Sequence, residues 1–261
     1  MKFGVCRGLD DFESIKIASE IGIDYYECGF GSLVNYDDEK FNKCKELLNE
    51  NNLTCLVANG FLPGELNVVG DSIDYDALSE YLDKGFKRAK LLGVKKIVFG
   101  SGRARSFSEG YSLEKAKEQL AFFLSEYAAP KAEKAGCIIV MEPLRFGETS
   151  MIHTVFDGIE IARKSRKKNV AGLADLYHVY GNNDSIDGMG EFKGELLHSH
   201  IAEPEKRVYP STKDSKEIVS VYKNFFDALK KAGCETCSIE AHTDDFKNDI
   251  ADALAILKTL I

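Results

Sequence analysis

Tryptophan is missing from the 261 residues, so any aromatic wall against a ligand must come from phenylalanine or tyrosine. No stretch approaches the roughly 18 uncharged apolar residues that a membrane-spanning helix needs. The first residues, Met1-Lys2-Phe3-Gly4-Val5, read directly as a strand rather than a leader, and a cytoplasmic protein is expected. A basic stripe is missing as well: the formal net charge is −8, and phosphate backbones demand a net basic face, so no nucleic-acid partner is expected. The one dense basic run, Arg163-Lys164-Ser165-Arg166-Lys167-Lys168, falls at a helix C-terminus, where it complements the helix dipole. The seven cysteines are an odd number scattered through apolar stretches, which suits buried thiols in a reducing compartment better than a disulfide framework. Cys234-x-x-Cys237 has a redox-like spacing but lacks the second pair that a zinc site of this kind needs. No linker, low-complexity tract or domain boundary interrupts residues 1–261, so one domain is expected.

What is present is the balance of a globular chain, 44% apolar and 29% charged residues. Short β-branched runs alternate with longer segments of helical period, the pattern that builds a parallel sheet covered by helices. The candidate strands are Lys2–Arg7, Tyr25–Phe30, Thr54–Asn59, Lys96–Ser101, Cys137–Glu142, Val170–Asp175, Leu196–Ala202 and Thr236–Ala241. Helical period follows over Glu13–Ile21, Asp38–Asn51, Asp76–Leu92, Leu113–Ala135, Val155–Ser165, Glu217–Ala232 and Phe246–Leu260. Four of these helices stop on a glycine that leads straight into the next strand, at Gly22, Gly93, Gly136 and Gly233. The sixth unit is short, with only Ser185–Phe192 able to be helical and a loop, Tyr177–Asp184, expected over the mouth. Eight such units with none left over predict an α/β fold, a (β/α)8 TIM barrel, at a length that barrel commonly has.

Active sites of these barrels form where the strands end. Four consecutive strands carry a carboxylate or imidazole there: Glu142 in Val140-Met141-Glu142, Asp175 in Leu173-Ala174-Asp175, His200 in His198-Ser199-His200, and Glu240 in Ser238-Ile239-Glu240. Side chains alternate along a strand, so Glu142 shares a face with Val140, Asp175 with Leu173, His200 with His198 and Glu240 with Ser238. If those faces point inward the four groups converge, and three crowded carboxylates must then be neutralised by protons, arginines or a cation. Three oxygens and one imidazole nitrogen suit Mn²⁺, Co²⁺, Mg²⁺ or Zn²⁺ with positions left for substrate. Gly100-Ser101-Gly102-Arg103-Ala104-Arg105-Ser106 and Gly29-Phe30-Gly31-Ser32 match no phosphate-binding fingerprint. As mouth loops they offer Arg105 or Arg103 to a substrate oxygen, carboxylate or phosphate, or else to solvent.

The motifs Met141-Glu142-Pro143-Leu144, Asp175-Leu176-Tyr177-His178, His198-Ser199-His200-Ile201-Ala202-Glu203 and Ile239-Glu240 resemble those of the xylose-isomerase-like barrel superfamily, in its sugar isomerase and epimerase branch, which includes the ketose 3-epimerases. The resemblance implies one Mn²⁺-type ion on Glu142, Asp175, His200 and Glu240, with Glu142 and Glu240 as the catalytic pair. It implies substrate contacts from Glu148, six residues after Glu142, and from His178, three after Asp175. It also implies an arginine after the ligand histidine, here Arg207 or, one residue earlier, Lys206. Phe61, Phe107 and Tyr111 are the loop candidates for an aromatic wall. His198 is expected either to orient another ligand or to be a hydrogen-bonded core histidine, and His153 and His242 to be structural or surface residues. The implied reaction moves a proton on a small sugar or sugar phosphate through an enediolate, one glutamate removing it and the other returning it. The same superfamily holds keto-inositol dehydratases, hydroxypyruvate isomerases and DNA-repair endonucleases, the last needing several metals. A sugar-binding protein without catalysis is a further reading that the intact glutamate pair opposes. Barrels of this branch are often dimers or tetramers, so a homo-oligomer is compatible with the sequence.

Overall fold

The structure, a computed structural model, describes residues 1–261. Eight parallel strands, β1 (Lys2–Cys6), β2 (Tyr25–Gly29), β3 (Cys55–Asn59), β4 (Lys96–Phe99), β5 (Ile138–Met141), β6 (Val170–Asp175), β7 (Leu196–Ile201) and β8 (Thr236–Ile239), pair in sequence order. β8 closes on β1 with Lys2 opposite Thr236, which makes the expected (β/α)8 barrel. Glu142 and Glu240 lie one residue beyond the ladders of β5 and β8. Their amides still donate to the neighbouring strands, to Phe99 O at 3.2 Å and Ile201 O at 3.1 Å, so both carboxylates leave the rim in a fixed direction.

The helices are α1 (Phe12–Ile21), α2 (Phe30–Asn35), α3 (Asp38–Glu50), α4 (Tyr75–Leu92), α5 (Leu113–Phe122), α6 (Ala129–Ala135), α7 (Val155–Ser165), α8 (Leu176–Gly181), α9 (Lys216–Ala232) and α10 (Phe246–Lys258). Gly22, Gly93, Gly136 and Gly233 take the left-handed conformation at the ends of α1, α4, α6 and α9, as their place before a strand predicts. Four expectations are corrected. The single helix over Leu113–Ala135 is interrupted by a π-helical turn, Phe123–Ala128, just before Pro130, which has no N–H to continue the α-helical ladder. The loop expected over Tyr177–Asp184 begins instead as α8, because the Asp175 carboxylate accepts from Tyr177 N at 2.8 Å and caps it. Gly29-Phe30-Gly31-Ser32 likewise enters α2, with Phe30 buried as an anchor. In the sixth unit the stretch Ser185–Phe192, expected to be helical, forms only a 3-10 turn, Asp187–Glu191.

Two apolar layers hold the barrel. A large cluster fills the space between strands and helices, and a small one, including Val57, Val98, Val140, Ala171 and Leu173, fills the barrel itself. Tyr25 completes the inner cluster from β2: its ring occupies the space of a side chain at Gly4, where an added Cβ would lie 2.1 Å from the ring. No helix is long and apolar enough to cross a membrane, and all seven cysteines are free thiols.

Candidate metal centre at the barrel mouth

The four strand-end groups converge. One ligand atom each from Glu142, Asp175, His200 and Glu240 lies within 4.8 Å of all the others. His200 Nδ1 is 2.9 Å from Glu142 Oε1 and 3.4 Å from Glu240 Oε2. Asp175 spends Oδ1 on its helix cap, while Oδ2 is buried with no hydrogen-bond partner. An orphaned buried carboxylate oxygen is costly, and a cation beside it removes the cost. Gly100 shapes the same cradle, since a Cβ there would fall 1.8 Å from Glu142 Oε2. The donor set of three carboxylates and one imidazole therefore fits a divalent ion of the Mn²⁺, Co²⁺, Mg²⁺ or Zn²⁺ kind.

The carboxylates are not equivalent. Burial pushes Glu142 above the usual carboxylate range against the pull of His200. Burial acts the same way on Glu240, but His200 and the Arg207 guanidinium, which donates to its Oε2 at 2.7 Å, outweigh it and hold the group at about 2. Burial opposes charge on His200 too, yet Glu27, Glu240, Cys6 and Glu142 together raise it well above the ordinary imidazole value.

Glu27 is the functional residue that sequence reasoning missed. It sits fully buried on β2 and receives His200 Nε2 on Oε1 at 2.9 Å, with His198 Nε2 at 3.2 Å and Ser238 Oγ at 2.5 Å on Oε2. A lone acid inside the apolar run Tyr25-Tyr26-Glu27-Cys28 was the available signal. His198 is thus a buried, hydrogen-bonded histidine that reaches the cluster through Glu27, which joins the two roles expected of it. Burial, outweighing the pull of Glu27, keeps His198 down at about 4.

A cavity of about 360 Å³ opens above the cluster, lined by Glu142 and Glu240 and also by Glu148, His178, Arg207 and Arg103. His178 lies between Asp175 Oδ2 at 3.5 Å and Glu148 Oε2 at 3.4 Å, distances of ion pairing without hydrogen-bond alignment, so buried His178 Nδ1 has no donor or acceptor partner. Of Lys206 and Arg207, Lys206 is exposed, whereas Arg207 reaches the cavity from a left-handed backbone at φ 57°. The expectation that Arg105 contacts substrate is corrected. Its guanidinium is fully buried and donates to Phe99 O at 3.1 Å and Glu142 O at 2.6 Å, so it buttresses the end of β5 while Arg103 faces the cavity. The aromatic wall is also not where it was expected. Phe61 is buried against Phe30, Phe86 and Phe99; Phe107 and Tyr111 pack on each other, and none of the three lines the cavity. Tyr177 lies under Arg145 at 3.4 Å and under the cavity-lining Arg207 at 4.8 Å. His153 stacks on the exposed ring of Phe146, and His242 borders a separate shallow depression, so neither joins the cluster.

A closed eight-stranded barrel with this cluster at its carboxyl mouth defines a class, and residues 15–260 match the family model for the xylose isomerase-like TIM barrel: the chain belongs to that family. Within it, the chain is similar to D-psicose 3-epimerase of Ruminiclostridium cellulolyticum, with 24% identity over 202 residues that cover 74% of this chain and 67% of the relative. Its fold is similar to that of D-allulose 3-epimerase from Methylomonas sp. in complex with D-allulose, with TM-score 0.83, 19% identity, and 100% and 97% of the two chains covered. It is also similar in fold to 3-keto-D-glucoside 4-epimerase from E. coli, with TM-score 0.80, 22% identity and 99% of both chains covered.

Proposed function

We propose that this protein is a divalent-metal-dependent epimerase or isomerase of a small ketose or ketose phosphate. The observation that carries the reading is the meeting of Glu142, Asp175, His200 and Glu240 within 4.8 Å at the floor of a cavity. At about 360 Å³ that cavity is at the small end of ligand pockets, which run from about 300 to 1,000 Å³, and Leu62 and Leu144 are the two hydrophobic residues among charged, polar and glycine positions of its lining, which suits a polyhydroxylated ligand. Glu142, Asp175, His200 and Glu240 would hold the ion, with Mn²⁺ favoured by a carboxylate-rich set containing one imidazole. When bound, the ion supplies positive charge that offsets the negative charge building on a carbonyl oxygen as the neighbouring C–H loses its proton. Glu142 and Glu240 flank the reacting carbon, one taking the proton and the other returning one, from the opposite face for epimerisation or to the adjacent carbon for isomerisation. Glu148, His178 and Arg207 position the remaining hydroxyl and carbonyl oxygens, and Arg105 acts behind them by fixing the main chain of Glu142. The relatives' names, epimerases of psicose, allulose and a keto-glucoside, support the substrate class.

The test is elemental analysis of the purified protein, then incubation of the Mn²⁺-loaded form with ketoses and ketose phosphates in heavy water. One deuteron should enter at the carbon next to the carbonyl, with epimer or aldose formed. A stoichiometrically loaded protein that exchanges no hydrogen in any substrate of the panel would rule the reading out.

A further inference from the structure

The geometry points to Glu27 as the positioning residue that presents His200 to the cation: it engages the Nε2–H of the imidazole and leaves Nδ1 alone to face Glu142 and Glu240. The inference rests on the reading that a divalent ion binds the cluster, and it names the part of the chain that decides which imidazole nitrogen binds it.

Counting donors gives the direction of each hydrogen bond behind the cluster. Lys96 Nζ has only protons to offer, and it donates to Leu197 O and Thr236 Oγ1, each at 2.6 Å. Leu197 O is 3.5 Å from Thr236 Oγ1, so the threonine proton goes to the nearer acceptor, His198 Nδ1 at 2.8 Å. His198 then carries its own proton on Nε2 and donates it to Glu27 Oε2. Ser238 Oγ donates to the same oxygen, and Tyr25 OH, 2.9 Å away, is free to donate to Ser238 Oγ. With two donors on Oε2, the contact between Glu27 Oε1 and His200 Nε2 at 2.9 Å takes its proton from the histidine. That leaves Nδ1 as the nitrogen aimed among the carboxylates, and a cation bound there takes the place of its proton. A carboxylate behind a metal-binding histidine fixes both tautomer and ring orientation. Tyr25, Glu27, His198, His200, Thr236 and Ser238 are all fully or almost fully buried, so water does not substitute for a missing partner. A glutamine at position 27 has one acceptor oxygen and two N–H groups for the three donors aimed at it, and it cannot serve both imidazoles.

Two measurements test this. In Zn²⁺-loaded wild-type protein, long-range proton–nitrogen spectra of the histidine side chains should show His200 protonated on Nε2 and metal-shifted on Nδ1, with His198 protonated on Nε2. Glu27→Gln should weaken Mn²⁺ binding by about 10- to 100-fold in titration calorimetry and move the His200 nitrogen signals. Ligation of His200 through Nε2, or wild-type Mn²⁺ affinity in a folded Glu27→Gln protein, overturns the inference while leaving the metal site in place. A wild-type protein that takes up neither Mn²⁺ nor Zn²⁺ overturns the metal reading itself, and the role of Glu27 with it. The spectra are recorded on the wild type, so the inference stays testable even if the variant does not fold.

Discussion

Gly100→Ala isolates the geometry of the cluster without touching a ligand. Gly100 has no positive φ, so alanine meets no backbone penalty there. Its methyl, however, would lie 1.8 Å from Glu142 Oε2 and 2.9 Å from Cδ, where real contacts keep about 3 Å. The carboxylate must therefore retreat by about 1 Å. Its main chain cannot follow easily, because Arg105 grips Glu142 O at 2.6 Å and Phe99 O holds its amide. Overpacking of this kind costs about 1–3 kcal/mol, and at about 2–4 °C per kcal/mol the melting temperature should fall by several degrees with the barrel intact. A displacement of about 1 Å at a reacting group is worth about 100-fold in rate. The checks are Mn²⁺ titration, thermal unfolding, and turnover of whichever ketose the heavy-water screen identifies. Wild-type metal affinity and wild-type turnover in the alanine protein would refute the placement of Glu142 as both ligand and reacting group.

Glu240→Gln should abolish turnover while leaving the circular dichroism spectrum unchanged, and turnover unaffected by both this substitution and Glu142→Gln would exclude the paired-glutamate scheme. Arg105→Met removes the guanidinium donor from the buried carbonyls of Glu142 and Phe99, the second of which keeps only the Glu142 amide, so chemical unfolding should show a loss of about 1–3 kcal/mol, and an undiminished stability would deny the buttress. In metal-free protein the two buried histidines act in opposite directions on stability. His198 is held at about 4 against 6.5 unfolded, so its contribution is complete above pH 6.5 and is lost as pH falls toward 4, on the order of 3 kcal/mol in all. His200 is raised, so its contribution is complete below pH 6.5 and declines as pH rises through its folded value. Urea unfolding should thus peak near pH 6.5, and a profile that keeps rising below that pH would contradict the assignment. Metal uptake must displace the proton that Nδ1 of a charged His200 carries, so calorimetry in buffers of different ionisation enthalpy at neutral pH should register proton release on Mn²⁺ binding, and its absence would show that His200 is already neutral.

The barrel was legible because its signal is repetition. Strands such as Val170-Ala171-Gly172-Leu173-Ala174-Asp175 announce burial on both faces, and Gly22, Gly93, Gly136 and Gly233 mark where helix gives way to strand. The convergence of the four strand-end groups was legible for a related reason: alternation places each on the face of an inward neighbour, Val140, Leu173, His198 or Ser238, all of which are buried. What alternation does not reveal is where a long side chain ends. Arg103 and Arg105 are two residues apart in one loop, and only the coordinates send the first to the cavity and the second to the carbonyls of Phe99 and Glu142. Glu27 escaped because it lies within its strand rather than at the end, and its contacts are with residues 171 and 173 positions away in the chain.

The barrel interior divides chemically, and the division bears on the proposal that the cluster holds a cation. From β3 through β6 the inner wall is Val57, Val98, Val140, Ala171 and Leu173, which offer no polar atom to the groups above them. From β2, β7 and β8 come Tyr25, Glu27, His198, Thr236 and Ser238, joined in one hydrogen-bonded chain. The four converging groups follow the same split. His200 and Glu240 stand on the polar side already partnered by Glu27 and Arg207, whereas Glu142 and Asp175 rise from the apolar side, the first pushed up by burial and the second with an oxygen that nothing satisfies. An apolar filling in place of the polar half would be expected to make a more stable barrel, since buried charge is expensive even when paired. Retaining it gives His200 one orientation and leaves the unmet demand for positive charge concentrated on Glu142 and Asp175, beneath the cavity where a carbonyl oxygen would have to bind.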